Sequence, residues 1–283
     1  MQTVRPAAVA GMFYPEAPSA LGIAVRDYLA QAAPRSGGKP PMPKALIVPH
    51  AGYVYSGPVA ASAYARIAAG RSTIRRVVLL GPVHRVPIRG LALPPAKAFS
   101  TPLGTVEVDT AAAAEALALP QVLTSEAAHA LEHSLEVQLP FLQTLLDSFR
   151  IVPLAVGDAT AAEVAAVIDR LWGGPETLIL VSSDLSHYHP YGEARAIDRG
   201  TVEEILAMTS TIDHEQACGA TPINGFAVCA RQRGLAAELL DLRNSGDTAG
   251  DKSRVVGYAA FAFTERPGAG VRQAAEALAE EVA

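Results

Sequence analysis

The chain has 283 residues, of which 50% are hydrophobic and 18% are charged, so it can bury a large core. Its formal net charge is −5 and it has no run of lysines and arginines, which argues against nucleic acid as a partner. No apolar stretch reaches the roughly 18 residues that a membrane helix needs, and no apolar segment follows a basic N-terminus. The two cysteines fit a reduced compartment, so we expect a soluble, cytoplasmic protein.

Predicted helices and strands alternate along the whole chain. An amphipathic helix over 17–33 is followed by a Pro/Gly-rich loop over 34–43. Buried strands are predicted at 45–49 and 76–80, separated by a helix over 58–69 that Ser56 caps. The later predicted strands are 91–93, 104–108, 150–156, 176–181, 237–244 and 255–264. The later predicted helices are 110–118 (capped by Asp109), 131–147 (kinked or split by Pro140), 160–172, 193–208, 222–232 and 271–281.

This alternation predicts the fold class. Strands that alternate with helices favour an α/β protein with a mostly parallel central sheet and helices on both faces. The two late strands follow each other without a helix between them, which makes the predicted sheet mixed. Because the Pro/Gly-rich loop is too short to separate domains, we expect one domain over 1–283.

Histidine or aspartate follows the carboxyl end of three predicted strands. His50 comes directly after the first buried strand, His84 follows the second, and Asp184 and His187 follow the strand at 176–181. Ligands of open α/β sheets bind beyond such strand ends, so these side chains are candidates for one site. His50 and His84 can serve as neutral imidazole ligands of a transition metal, or each can simply bond a loop carbonyl or cap a helix. Asp184 and His187 are candidates for proton transfer or for orienting a ligand.

The two cysteines have different predicted environments. Cys218 lies in a loop that leads into a helix, and the positive end of that helix favours a thiolate. The alternative for Cys218 is a buried thiol that only fills space. Cys229 falls among apolar residues inside the same helix, where a core position is expected.

The remaining histidines are less informative. Glu132, His133 and Ser134 form a short polar cluster at a predicted helix start. This cluster either caps the helix or faces the site, and the sequence does not decide between the two. His129 and His214 are predicted to be solvated.

Several segments together resemble the MEMO family, in the order in which the family has them. They are AGMFYP (10–15), PHAGYVYSG (49–57), GPVH (81–84), EHSLEVQLPFL (132–142), SSDLSHY (182–188), CGATPI (218–223) and VVGYAAFAF (255–263). The resemblance covers nearly the whole chain. Bacterial and archaeal members resemble protein B of the AmmeMemoRadiSam system, so the resemblance also implies AMMECR-type and radical-SAM companion proteins.

The resemblance implies a fold similar to that of the class III extradiol dioxygenases, which hold Fe(II) with two histidines and a carboxylate. MEMO proteins have a cysteine in place of the carboxylate, so the implied metal ligands are His50, His84 and Cys218. By the same resemblance His187 matches an acid/base histidine with Asp184 beside it, and Tyr53 is a candidate pocket residue. Iron (Fe2+) is the expected cofactor, with copper or zinc as alternatives, because thiolate is a soft ligand.

Three functions are compatible with these residues. The first is a non-haem iron-dependent enzyme that performs redox chemistry on an unknown small molecule. The second is an adaptor that binds a ligand or a peptide, although no arginine cluster near the motifs supports phosphate capture. The third is a copper or iron buffering protein, which needs the three metal ligands but neither Asp184 nor His187. A shared fold does not decide among these functions.

Overall fold

The structure is a computed structural model that describes residues 3–32, 40–248 and 250–265. The strands in these ranges are β1 (Val4–Arg5), β2 (Ala45–Val48), β3 (Arg76–Pro82), β4 (Leu91–Leu93), β5 (Ala98–Thr101), β6 (Gly104–Glu107), β7 (Val122–Thr124), β8 (Arg150–Val156), β9 (Thr177–Ser182), β10 (His187–His189), β11 (Ala236–Asn244) and β12 (Val255–Thr264). The α-helices are α1 (Pro18–Ala32), α2 (Tyr53–Tyr64), α3 (Thr110–Leu117), α4 (Glu126–Ala130), α5 (Leu139–Leu145), α6 (Ala161–Arg170), α7 (Tyr191–Leu206), α8 (Ala220–Gln232) and α9 (Ser245–Thr248). Two 3-10 helices cover Ala65–Gly70 and Glu136–Gln138.

Nine of the strands in the described residues form one mixed sheet. Its order is β10-β12-β2-β9-β3-β8-β4-β7, and β11 pairs with β12 outside this path. The four central strands β2, β9, β3 and β8 are parallel, whereas β12 and β4 pair antiparallel on either side of them. Strands β1, β5 and β6 form a small second sheet. The predicted mixed α/β sheet is confirmed, with its parallel part at the centre.

Alternate residues of the central strands enter two different hydrophobic cores. In β2, Leu46 and Val48 belong to one core, and Ala45 and Ile47 belong to the other. Helices α1, α2 and α5 cover the first face of the sheet, and α3, α6, α7 and α8 cover the second. The strands therefore read as unbroken apolar runs in the sequence because both of their faces are buried.

Most of the predicted elements are confirmed. Strand β8 has the predicted bounds, and Asp109 caps α3 by accepting a hydrogen bond from Ala112 N. The short strands β1, β5, β7 and β10 were not predicted. The predicted helix over 271–281 and much of the predicted loop over 34–43 lie outside the described residues. In the part of the chain that the structure describes, no helix is both long enough and apolar enough to cross a membrane.

Two helix predictions next to the candidate site are wrong. Helix α2 begins at Tyr53, so Ser56 does not cap it and instead donates a hydrogen bond to Ala51 O from within the first turn. The predicted helix over 131–147 is interrupted, because 131–135 form a loop and α5 starts only at Leu139. Pro140 lies in the first turn of α5, where a missing N–H costs little.

His129 is buried, so the prediction that it is solvated is wrong, whereas His214 is exposed as predicted. The Nε2 atom of His129 lies 2.8 Å from Ala92 O in β4, and its own carbonyl accepts a hydrogen bond from Arg5 Nε. Burial lowers the pKa of His129 to about 4. The ring is therefore neutral at neutral pH and helps to attach α4 to β4.

This burial predicts a loss of stability at mildly acidic pH. Because the pKa of His129 is lower in the folded protein than the ordinary value of 6.5, the unfolded chain takes up the proton first. Stability is then lost as the pH falls from about 6.5 towards 4, by about 2 kcal/mol between pH 7 and pH 5. We expect His129→Gln, which keeps a donor at the position of Nε2, to lose about 2 kcal/mol less than the native chain over this range. Urea unfolding at both pH values measures this, and an unchanged pH dependence in the variant would contradict it.

Candidate metal centre

The candidate site lies at the carboxyl edge of the parallel strands. His50 follows β2, His84 follows β3, and Asp184 follows β9, which lies between those two strands. Neighbouring parallel strands end at the same edge, so their following residues meet there. The ring centroids of His50 and His84 are 5.2 Å apart.

His133 completes a cluster of three imidazoles. Its ring centroid lies 5.3 Å from that of His50 and 4.6 Å from that of His84. One ring nitrogen from each histidine lies within 4.8 Å of the other two, so the three could share a metal ion. Burial lowers the pKa of His133 to about 4, which leaves its ring neutral. The sequence allowed His133 either to cap a helix or to face the site, and the structure places it at the site.

Cys218, in the loop that precedes α8, lies close to His50. Its Sγ lies 3.3 Å from His50 Nε2 and also 3.3 Å from Asp184 N, which donates to it. Gly219 permits this approach, because a Cβ at that position would lie 2.6 Å from the Cβ of Ser183. Burial, followed by the charge of Asp184, raises the pKa of Cys218 to about 12. The raised pKa contradicts the expectation that the helix end favours a thiolate at Cys218.

Glu132 holds the loop that carries His84. Its buried carboxylate accepts hydrogen bonds from the backbone N–H groups of His84, His133 and Ser134 and lies 2.9 Å from His84 Nδ1. Burial acts to raise the pKa of Glu132, but the hydrogen bonds and the field of His84 outweigh it and bring the pKa to about 2. Because an ionised carboxylate can only accept, the Nδ1 atom of His84 carries a proton, and in a neutral ring the lone pair is then on Nε2.

Asp184 and His187 make different hydrogen bonds. Asp184 Oδ1 accepts a hydrogen bond of 2.7 Å from the backbone N–H of His50, so it positions the His50 loop rather than the ring of His187. Burial raises the pKa of Asp184 above its ordinary range. His187 Nδ1 lies 2.8 Å from the carbonyl of Leu185, and Nε2 of His187 has no hydrogen-bond partner among the described residues. Burial and, to a smaller extent, the neighbouring rings of His133, His84 and His187 hold the pKa of His50 well below its ordinary value.

The N-terminal segment forms one wall of the site. Phe13 packs against His133 with a distance of 4.7 Å between ring centroids, a contact that the sequence analysis did not predict. The buried carboxylate of Glu136 fastens this segment, because it accepts hydrogen bonds from Arg5, from the backbone N–H of Val9 and from the hydroxyl of Tyr14. The AGMFYP motif was the only sequence signal for this wall.

Tyr53 is a core residue rather than a pocket residue. Only 4% of its surface is exposed, and its hydroxyl donates to Val137 O at 2.6 Å. Its backbone N–H donates to Phe13 O, so Tyr53 supports the wall of the site from behind.

An open cavity of about 520 Å3 lies beside the cluster. His84 and Cys218 contribute to its lining, together with the apolar side chains of Val83 and Ile88. His214, which was predicted to be solvated, also lines this cavity. Its Nε2 lies 3.2 Å from the hydroxyl of Thr221. The cavity gives a small molecule access to two of the candidate metal ligands.

The protein is therefore an α/β protein with a candidate metal centre. Three histidines and a cysteine form this centre beyond the parallel strands of the mixed sheet. The sequence profile of the Memo-like protein family matches residues 5–262, and the chain belongs to this family.

Its curated relatives are similar over nearly their whole length. A MEMO1 family protein of Archaeoglobus fulgidus is 39% identical over 90% of this chain and 97% of its own. A MEMO1 family protein of Methanopyrus kandleri is 37% identical, covering 92% of this chain and 98% of its own. A third, from Aquifex aeolicus, is 38% identical over 92% of this chain and 99% of its own.

Because both oxygens of the Glu132 carboxylate accept hydrogen bonds, we predict that Glu132→Gln is less stable than the native chain. An amide offers an acceptor at one end only, so its NH2 group must face at least one of the donors that the carboxylate satisfies. We expect the free energy of unfolding to fall by about 1–3 kcal/mol. Glu115→Gln on the exposed face of α3 is the matched control, and it should change the stability by less than about 0.5 kcal/mol. Equal unfolding curves for the two variants would show that the Glu132 carboxylate is not required.

Proposed function

We propose that this protein binds a transition metal ion through His50, His84 and Cys218 and uses it for redox chemistry on a small molecule. The observation that carries the proposal is the arrangement of ring protons and lone pairs. The Nδ1 atoms of His50 and His84 are engaged by Ser182 and Glu132, while Nε2 of His50 faces Cys218 Sγ at 3.3 Å. Such second partners of the ring are typical of metal-binding histidines.

The donor set fits a transition metal. Two neutral imidazoles and one thiol, which binds as a thiolate, suit Fe(II), Cu(I) or Zn(II), whereas Mg2+ and Ca2+ require oxygen ligands. Iron is our first choice, with copper or zinc as alternatives. When bound, the metal ion supplies Lewis acidity and, for iron or copper, electron transfer. His133 offers a further nitrogen on the same side and competes with Cys218 for the place of the third ligand.

The surrounding residues support chemistry rather than storage alone. The Nε2 atom of His187 has no hydrogen-bond partner in the described ranges, and His187 lies near enough to His50 to influence its pKa, so His187 is our candidate for moving a proton to or from the substrate. Asp184 fixes the His50 loop and thereby the position of one ligand. The cavity of about 520 Å3 falls within the size range of small-molecule sites and reaches both His84 and Cys218.

Metal buffering is the second candidate function. One observation favours it: the side chain of His84 is 29% exposed, so an ion can be exchanged at this ligand without the protein opening. Buffering uses the same ligands but has no need of the free nitrogen on His187.

The ligand set is tested by elemental analysis of protein purified anaerobically and without chelators. We expect the native chain to hold one metal ion, iron first, and Cys218→Ser to lose at least about 90% of it, because a hydroxyl is a far weaker ligand than a thiolate. Cys229→Ala is the matched control, since Cys229 lies in the core away from the site. His133→Gln keeps the metal if Cys218 is the third ligand. Metal loss in His133→Gln but not in Cys218→Ser would establish the three-histidine site instead, and no binding of Fe(II) by the native chain would contradict the proposal.

Enzyme and buffer are distinguished by His187→Gln. Under the enzyme hypothesis we expect the affinity for Fe(II), measured by competition with a chelator, to stay within about threefold of the native value. Turnover, in a screen for oxygen consumption with candidate small molecules, should fall by about 100-fold or more. His189→Gln, two residues further along and bonded to Glu193, is the control and should leave both quantities unchanged. If His187→Gln loses metal as Cys218→Ser does, His187 is a ligand and not a proton carrier.

A further inference from the structure

A buried series of hydrogen bonds runs from the core to the ring of His50. The hydroxyl of Tyr64 donates to Gln138 Oε1 at 2.7 Å, and Gln138 Nε2 donates to Ser182 Oγ at 2.9 Å. The Nδ1 atom of His50 lies 2.9 Å from the same Ser182 Oγ. All four side chains are at most 2% exposed, so water cannot exchange with these partners.

The direction of the Gln138 amide is determined by its other neighbour. Its Nε2 also lies 3.0 Å from the carbonyl oxygen of Pro49, which can only accept. The NH2 group must therefore be on this side, and it can only donate to Ser182 Oγ.

The direction of the Ser182 hydroxyl follows from its three neighbours. The hydroxyl has one proton and two lone pairs. Its proton is directed to the carbonyl oxygen of Ser134 at 2.6 Å, which can only accept, and one lone pair receives the Gln138 amide. The second lone pair faces His50 Nδ1, so every buried group in the set is satisfied only when His50 donates from Nδ1. With the proton on Nε2, either Ser134 O or His50 Nδ1 would be left without a donor, which is unfavourable for a buried acceptor.

We propose that Ser182 is a positioning residue that sets the tautomer of His50. It holds the proton on Nδ1 and presents the Nε2 lone pair towards Cys218 and the two neighbouring imidazoles. A neutral histidine in water prefers the opposite tautomer, with the proton on Nε2, so the protein prepares this ring for a metal ion before the ion arrives. Gln138 stabilises this arrangement because its amide donates to one lone pair of Ser182 Oγ. The hydroxyl proton of Ser182 therefore stays directed at Ser134 O.

The use of this tautomer rests on the proposed metal function, but the tautomer itself does not. It can be measured in metal-free protein by 15N NMR, which separates protonated from unprotonated ring nitrogens, and a His50→Gln sample identifies the His50 signals. We expect the native chain to carry the proton on Nδ1. A native ring with its proton on Nε2 overturns the inference without the need for any variant.

Variants test whether Ser182 is the cause. In Ser182→Ala the Nδ1 atom loses its acceptor, and we expect the proton to move to Nε2 in most molecules. Ser182→Thr keeps the hydroxyl and should keep the native tautomer. Thr201→Val removes another buried hydroxyl, bonded only to the backbone of α7, and serves as a control that should change nothing at His50. A native tautomer in Ser182→Ala, in a sample with a native-like unfolding transition, contradicts the role of Ser182.

Zn(II) binding separates this inference from the proposed function. We expect Ser182→Ala to bind Zn(II) about 10–100-fold more weakly than the native chain, as is typical when the second partner of a histidine ligand is removed. If the tautomer shifts as expected but the native chain binds neither Zn(II) nor Fe(II), the tautomer assignment stands and the metal function fails. If the native chain binds metal while His50 carries its proton on Nε2 in the metal-free state, the metal function stands and the inference fails.

Discussion

The parallel pairing of β9 with both β2 and β3 is the constraint on which the site depends. In this register Val48 is opposite Ser182, and Leu80 is opposite Val181. The chain leaves β2 and β3 at the same edge and on either side of β9, so His50 and His84 meet above the middle strand. Ser182, the last residue of β9, then lies where its hydroxyl reaches His50. If the register of one of these strands shifted by one residue, its side chains would point to the other face of the sheet, and these groups would be separated.

The segment from 132 to 138 holds the loops around the candidate site in place. Glu132 and Glu136 are both buried carboxylates, but each holds a different neighbour. Glu132 fixes the His84 loop, whereas Glu136 fixes the N-terminal segment that carries Phe13. Gln138 then connects the same segment to Ser182. These polar side chains stabilise loop positions because their donors and acceptors are satisfied away from water.

The sequence predicted the sheet better than it predicted the loops. Short unbroken apolar runs such as those of β3 and β8 are typical of strands buried on both faces, and the Asp109 cap is a local signal that needs no tertiary context. The residues at 131–138 misled the prediction because their polar and apolar positions also fit one face of a helix. The burial of His129 and the distance between Cys218 and His50 depend on contacts between segments far apart in the chain, which no local pattern contains.

The motif resemblance predicted more of the site than residue patterns alone. It named His50, His84 and Cys218 together, and in the structure Cys218 Sγ lies 3.3 Å from His50 Nε2 while the ring centroids of His50 and His84 are 5.2 Å apart. It did not indicate Ser182, Gln138 or Phe13 as parts of the site. Ser182 contacts His50, Gln138 contacts Ser182 and Phe13 packs against His133, and all three contacts join segments far apart in the chain.

The attachment of Arg5 has a consequence for how the protein opens. The Arg5 side chain donates to Glu136 and to the carbonyl oxygens of His129 and Glu132, and it does so from a strand near the start of the chain. Separating Arg5 from Glu136 would leave the buried Glu136 carboxylate without its cation, which is unfavourable. The N-terminal segment and the loop over 131–138 therefore stabilise each other. Local unfolding therefore cannot release the loop over 131–138 while the N-terminal segment stays in place, and both belong to one cooperative unit of exchange.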